Sequence, residues 1–461
     1  MKFNIKTDSR KIKPGDTFVA IKTIENDGHK YIESAIKAGA TKIVCETGEY
    51  SVETIHVPNS RDYLDEYLET TYKDVFSKMK IMAVTGTNGK TTLAYLYYQA
   101  LNFLGKKCAY LGTLGFFLPE GKKYQSANTT PDICEVYEAI VDAYNAGCEC
   151  FALEASSQGL VQHRLDTIHY DYAVFTNLTR DHLDFHKTMD NYALAKKQIF
   201  DDLKNDGKAI INADDERCSY YSLEKNKNIT YGLKKGDYRV IDYNISIDGT
   251  DFVLNHDNQN YKFHMQLIGD YNIYNIIPVI IILFDLGFSY EKIARILPKL
   301  KNGEGRMEMV KYKNNLVVVD YAHTPDGFDK ILSTFKNVVK GNIYVVFGNR
   351  GNRDRGKRPE MTEMAMKYAK RVIITSDNIY DEDINQIIGD LLNGVTSKAY
   401  DVVLDRKAAI EKGISYLENN DVLLILCRGC ENELSVGDHV IHFNDLEEAK
   451  KIIGELKINN K

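Results

Sequence analysis

A chain of 461 residues, 44% hydrophobic and 27% charged with a net charge of −6, is too long for one ordinary core. It reads as a globular protein of two or three domains, neither fibrous nor disordered. Its basic residues are scattered, which gives no electrostatic case for nucleic acid. The N-terminus has no apolar stretch of signal-peptide length, and the longest apolar run, Pro278 to Phe284, is too short to span a bilayer, so a cytoplasmic protein with no membrane partner is expected.

Residues 1–79 mix short strands (Thr17 to Ile21, Lys42 to Cys45, Ile55 to Val57) with a helical stretch from Tyr31 to Gly39, and read as a small α/β domain. Pro14-Gly15-Asp16 is a turn signal, with Ser9 and Arg10 offering a hydroxyl and a cation before it. A polar helix from Tyr63 to Lys80 leads into the next unit, so a boundary is expected near residue 79.

The chain then runs from an apolar strand, Ile81 to Val84, through Gly86, Thr87, Asn88, Gly89, Lys90, Thr91 and Thr92 into a stretch with helical spacing of Leu93, Leu96, Leu101 and Leu104. Strand, glycine turn and helix in that order suit a phosphate-binding loop. The glycines let backbone N–H groups close around phosphate oxygens, the helix N-terminus adds partial positive charge, and Lys90 adds a full one. The Thr91 hydroxyl is then suited to a magnesium ion bridging the phosphates. Val84 stands where the usual spacing has its first glycine, so the loop is a shortened form, and a turn that binds nothing is the plain alternative. The nucleotide is taken as ATP.

From Lys80 to about Gly303 strands and helices alternate, as in a doubly wound, mostly parallel sheet, with apolar strands at Lys107 to Leu111, Cys150 to Glu154, Ala173 to Thr176 and Ala209 to Ile211. Functional loops of such sheets sit at the carboxyl ends of strands. Glu154 ends one strand, where a carboxylate can reach magnesium held by Thr91. The next ends in a polar cluster with Asn177, Arg180, Asp181, His182, Asp184 and His186; His182 is favoured as a metal ligand and His186 as an ordinary hydrogen-bonded loop residue. INADDE, from Ile211 to Glu216, reads as a turn after a strand, Asn272 and Asn275 share one face of a helix, and Gly303 to Glu308 looks like an interdomain hinge.

The last unit, from about Gly305, places polar residues after four apolar strands and reads as a second, Rossmann-like domain. The first strand ends in Asp320 and His323. The second, Ile343 to Phe347, ends in the cation-rich loop Gly348 to Arg358, which suits an anion site. The third, Val372 to Thr375, ends in SDNIYDEDI, and the fourth, Val422 to Leu426, in CRGCENE. Eight scattered cysteines suit reduced thiols; the Cys427 and Cys430 pair lacks a second half-site for zinc.

GTNGKTT, NTTPD, EASSQGLVQHR, FTNLTRDHLDFH, YALAK, GDYNIYN, GRMEMV, DYAHTPD and NRDRGKRPEM occur in one order, and with them the chain resembles the Mur ligases over essentially its whole length. Within them it is most similar to the branch that lengthens UDP-N-acetylmuramoyl-L-alanyl-D-glutamate by one amino acid. The resemblance implies an N-terminal domain (1–79) for the uridine diphosphate part, a central ATPase domain (80–304) and a C-terminal domain (305–461) for the incoming free amino acid, in what is expected to be a monomer. It implies substrate contacts from Ser9, Asn128, Thr129, Thr130, Ser156, Gln162 and Arg164, and ATP contacts from Asn275, Arg306 and Asp320. It also implies catalytic roles for Lys90, His182 and Lys196, with Lys196 carbamylated so that it joins Thr91, Glu154 and His182 around two magnesium ions. The implied chemistry is acyl-phosphate formation on the terminal carboxylate, then capture by an amine.

The amino acid is where the pattern breaks. Relatives that use meso-diaminopimelate carry Asp-Asn-Pro-Arg, and here the sequence reads Asp377-Asn378-Ile379-Tyr380. Tyrosine cannot make the bidentate pair an arginine makes with the distal carboxylate, while Asp381, Glu382, Asp383 and Glu431 suit an ammonium group, so L-lysine is expected, with L-ornithine next and Arg353 on the α-carboxylate. Gln158 and Asp270 are further departures from the family pattern. A folylpolyglutamate-synthetase-like ligase is the rival enzyme, disfavoured by NTTPD, SSQGLVQHR and the separate N-terminal unit. A non-catalytic nucleotide-binding protein is the other rival and predicts loss of Lys90, Glu154, His182 or Lys196, all of which are present.

Overall fold

A computed structural model describes residues 2–459 apart from 24–25, 224–227 and 437–438. Among these residues four sheets form: one of four strands, one of eleven, one of six and a two-stranded hairpin. The first sheet joins Ile5–Lys6, Thr17–Val19, Lys42–Cys45 and Glu53–His56 in that order, all parallel. The helix Ser60–Lys78 follows it, capped by the Asn59 side chain, and carries the chain to the large sheet.

The large sheet runs from edge to edge through Gln259–Met265, Gly249–His256, Tyr238–Ser246, Asn228–Gly232, Leu203–Asn212, Tyr170–Phe175, Lys80–Thr85, Cys150–Glu154, Cys108–Gly112, Gly115–Leu118 and Gly121–Tyr124. Its middle is parallel, and both edges are antiparallel extensions. The strand that feeds the glycine turn is covered on both faces. Ile81 and Ala83 pack in one apolar cluster with Leu68 and Val136, whereas Met82 and Val84 pack in another with Leu93 and Ile277. Residues of period two alternate between two buried layers, which is why the run reads as continuously apolar.

The strict strand and helix alternation expected up to Gly303 fails over 238–265, where three strands form an antiparallel meander. Val240, Phe252, Leu254, Phe263 and Met265 are buried, while Ile241 and Tyr243 lie exposed on the other face, so this part of the sheet is covered on one side only. The Pro278 to Phe284 run lies in the buried helix Asp270–Asp285, and among the described residues no helix is long and apolar enough to cross a membrane.

In the third sheet, Glu308–Tyr312 runs antiparallel to Asn315–Asp320, which is followed in space by the parallel strands Val422–Leu426, Ile343–Phe347, Arg371–Ile374 and Tyr400–Val402. The parallel strands deliver their C-terminal residues to one edge, which faces the glycine turn of the large sheet. Three arginines of this unit, Arg358, Arg406 and Arg428, are fully buried, each against carboxylates. All eight cysteines are free thiols.

Candidate active site

The glycine turn takes the conformation its sequence requires. Gly86 and Gly89 have φ of 149° and 91°, and a Cβ would stand 1.8 Å from Thr176 Oγ1 at the first and 2.4 Å from Asn275 Oδ1 at the second, so neither position tolerates a side chain. Lys90 opens the helix Lys90–Phe103 and folds back, its Nζ donating to the carbonyl oxygens of Gly86 (2.8 Å) and Thr87 (3.1 Å). Thr92 is buried in the same first turn, beside Thr91.

Thr91 and Glu154, brought to one sheet edge by neighbouring parallel strands, meet directly: Thr91 Oγ1 donates to Glu154 Oε2 at 2.8 Å. Glu154 is fully buried, and its oxygens also accept from the Tyr110 hydroxyl and the Thr113 amide. Lys196, on the helix Met189–Lys197, is buried and donates its Nζ to Gly86 O at 2.8 Å. Burial, followed by the charge of Lys90, holds its pKa well below that of an ordinary lysine. As a donor amine Lys196 is no metal ligand, and the expected ligand role requires the modified form.

His182 takes a left-handed backbone (φ 53°) and lines the same cavity as Lys90, Thr91, Arg306 and His323. Burial, and then the nearby cations against the opposing pull of Asp181, push its pKa down to about 3, which keeps a ring nitrogen lone pair free. Among the described residues no three His, Cys, Asp or Glu side chains gather as a metal-holding group. The fit is to a cation that takes one or two protein oxygens and completes its shell with phosphates and water, the habit of magnesium.

Across the interface, Arg306 Nη2 lies 3.3 Å from Thr91 Oγ1 and its guanidinium stacks 4.4 Å from the Tyr321 ring centre. Asp320 accepts from the amides of Met307 and Ala322. Asn275 Nδ2 donates to Asn272 Oδ1, as a shared helix face implies. A cavity of about 270 Å³ is lined by Asn88, Gly89, Thr92, Asn275, Arg306 and Asp320, together with Asp214, Tyr271 and Tyr274, which sequence reasoning did not single out as site residues. The signal was present in INADDE. Asp214 Oδ2 accepts from the Tyr274 hydroxyl and the Leu233 amide, so this turn builds the cavity wall.

A second cavity joins Asp181, His182, Tyr321 and His323 to Arg350, Arg353, Lys357, Asp377 and Cys427. The cation-rich loop is not one open anion site. Arg358 is buried against Glu382 and Asp390, Arg355 pairs with Asp390, Lys357 with Asp181, and Arg350 with Glu431. Arg353 is the cation of this loop with no carboxylate partner among the described residues; it packs 5.9 Å from the Tyr380 ring centre.

The acids expected to receive an ammonium group are therefore largely committed. Glu382 is paired with Arg358, Asp383 caps the helix Ile384–Leu391, and Asp377 lies buried beside Arg428. Burial opposes the Asp377 charge, yet Arg406, Arg428 and Arg350 outweigh it and hold its carboxyl below the usual range; burial raises Glu431 against the pull of Arg350. Asp377 Oδ2 has no hydrogen-bond partner among the described residues. Asn378, expected on the substrate, has its amide engaged elsewhere, accepting from Ser435 N and donating to Glu433 O of the C-terminal hairpin.

On the far side of Glu154, Thr129 Oγ1 lies 3.0 Å from Thr113 Oγ1, and Asn128 is exposed. Thr130 is fully buried, donating to Glu154 O and accepting from Ser156 N, which makes it a support of the site; Ser156 caps the helix Ser157–Val161, and Arg164 reaches the Thr130 carbonyl at 2.7 Å. Gln162 ends that helix, and Ser9 sits in a short turn of the first sheet, remote in sequence from all of these.

A phosphate-loop unit apposed to a second α/β unit, with an arginine-bearing cavity between them, is the arrangement of a nucleotide-dependent ligase. Models of the Mur ligase family catalytic domain, the Mur ligase middle domain and the Mur ligase glutamate ligase domain match residues 4–74, 84–283 and 305–429. The chain is 37% identical, over 97% of its length and 95% of the relative's, to the UDP-N-acetylmuramoyl-L-alanyl-D-glutamate–2,6-diaminopimelate ligase of Haemophilus influenzae (strain 86-028NP). A solved structure of a ligase of the same description superposes with a TM-score of 0.67 at 32% identity, covering 99% of this chain and 95% of that one. The MurF ligase of Thermotoga maritima in complex with ADP shares the fold, with a TM-score of 0.74 at 19% identity and full coverage of both chains. The chain belongs to the Mur ligase family, and it is an ATP-dependent, ADP-forming amino-acid ligase of peptidoglycan synthesis.

Proposed function

We propose that the protein joins L-lysine to UDP-N-acetylmuramoyl-L-alanyl-D-glutamate, with residues 1–79 holding the uridine diphosphate end, 80–304 the ATP and 305–461 the amino acid. The observation that carries the ligase chemistry is the convergence of Lys90, Thr91, Glu154, His182 and Lys196 on one side of an interface whose other side holds Arg353. An oxygen of the terminal carboxylate attacks the γ-phosphorus, the bond to ADP breaks, and the amine nitrogen then attacks the acyl carbon and expels phosphate. Lys90 and the turn's N–H groups face the charge that builds on the transferring phosphoryl group. Thr91, Glu154, His182 and a carbamate on Lys196 are the groups suited to magnesium, which when bound neutralises phosphate charge. A single chain supplies every group named, so a monomer suffices.

Lysine is supported by the count of available cations. With Arg350, Arg355, Lys357 and Arg358 paired, Arg353 is left to hold one carboxylate, and diaminopimelate brings two. Asp377 Oδ2, which has no hydrogen-bond partner among the described residues, is an acceptor this cavity offers an ammonium group. The second reading, meso-diaminopimelate, is favoured by the name of the Haemophilus relative. Ligation assays with purified dipeptide precursor decide between them: lysine is expected to turn over faster, and faster turnover with diaminopimelate would refute the lysine reading. Under the lysine reading, Tyr380→Arg supplies a second carboxylate partner and is expected to shift kcat/KM toward diaminopimelate by about 10-fold or more.

A further inference from the structure

The segment 177–181 after the strand Tyr170–Phe175 is fastened at one end to the phosphate loop. Asn177 O accepts from Thr87 N (2.8 Å), Asn177 Oδ1 accepts from Asn88 N (3.0 Å), and Thr87 Oγ1 exchanges hydrogen bonds with Thr179 O and Thr179 N. Its other end crosses to the C-terminal unit with two consecutive residues of opposite sign. Arg180 Nε donates to Asp354 Oδ2 at 3.1 Å and Nη1 to Glu360 Oε1 at 3.3 Å; Asp181 Oδ1 accepts from Lys357 Nζ at 3.0 Å. The Lys357 and Asp181 side chains are 6% and 4% exposed, and Asp181 lines both the cavity beside the phosphate loop and the one that holds Arg353. Asp354 and Lys357 lie one and four residues after Arg353, at the turn into the helix Lys357–Tyr368, so both pairs bind one short stretch next to Arg353.

We propose that Arg180 and Asp181 are positioning residues: a clasp of alternating sign that fixes how far the Arg353 pocket stands from phosphates held by the glycine turn. The clasp rests on the ligase reading above for its consequence, delivery of the amine to the acyl phosphate. Its own existence rests on the charge pairs, which accept one relative placement of the two units and repel its neighbours.

Charge exchange on the full-length protein tests it. Arg180→Glu and Asp354→Arg, each alone, are expected to raise the KM for the amino acid by about 5-fold, to leave the ATP dissociation constant within about 2-fold, and to increase the radius of gyration measured by small-angle scattering. The double variant restores the pair with its polarity reversed and is expected to return both KM and radius toward those of the unchanged protein; a support that acted only through folding would not be rescued this way. The milder Arg180→Gln, at a partly exposed site, is expected to give a smaller rise in KM and guards against misfolding. Single variants with unchanged KM and radius, or a double variant no better than either single, would overturn the clasp. Ligation by the unchanged protein tests the ligase reading separately, and the scattering comparison needs no turnover.

Discussion

Lys90→Ala is expected to lower ADP formation by about 10³-fold or more while leaving the thermal unfolding midpoint near its original value. The Lys90 Nζ is held 2.8 Å from the Gly86 carbonyl, inside the ring of backbone that a phosphate would occupy, and burial lowers its pKa against the attraction of Glu154 and Asp181. A partly buried cation aimed at developing phosphate charge counts for more than one in open water, because less solvent needs to reorganise around it. Its aliphatic stem supports little of the core, so stability should not follow activity. Initial-rate measurements beside a melting curve check both halves of this expectation.

The second large effect is expected at Lys196. Burial and the neighbouring Lys90 hold its pKa well below the ordinary lysine value, which favours the unprotonated amine whose nitrogen can add to carbon dioxide. The proton balance fixes the sign: the reactive form is present above the lowered pKa and is lost as pH falls through it. Lys196→Arg places there a cation that cannot be carbamylated, and is expected to lose about 10³-fold in rate. In carbon dioxide-stripped buffer the unchanged protein should slow and then recover on addition of bicarbonate. Incubation with ¹³C-bicarbonate should give a carbamate carbon signal that the arginine variant lacks.

Much of this was legible in the chain because the decisive strands are buried on both faces. Cys150–Glu154, Ile343–Phe347 and Val422–Leu426 have the ends that their apolar runs suggest, and the polar residues after them come to facing sheet edges. The glycine turn and the meeting of Thr91 with Glu154 follow from strand order alone. The half-covered meander over 238–265 was less visible, since a strand with one wet face carries a weaker apolar signal. The cations from Arg350 to Arg358 look alike in sequence. Only the fold reveals that Arg358 lies against Glu382 and Asp390 and that Arg353 stands apart, because those partners lie 24 and 32 residues downstream of Arg358. The surroundings of Asn378 were hidden for the same reason: the hairpin that engages its amide, Glu433–Val436 with His439–His442, is distant in sequence.

The central step of the proposed reaction is a mixed anhydride between the dipeptide's terminal carboxylate and the γ-phosphate of ATP. Ligation with a precursor whose terminal carboxylate is labelled with ¹⁸O follows that bond directly: one labelled oxygen is predicted in each inorganic phosphate released, because the acyl oxygen leaves with phosphorus when the amine attacks. Phosphate free of the label, formed alongside a normal yield of peptide, would contradict it.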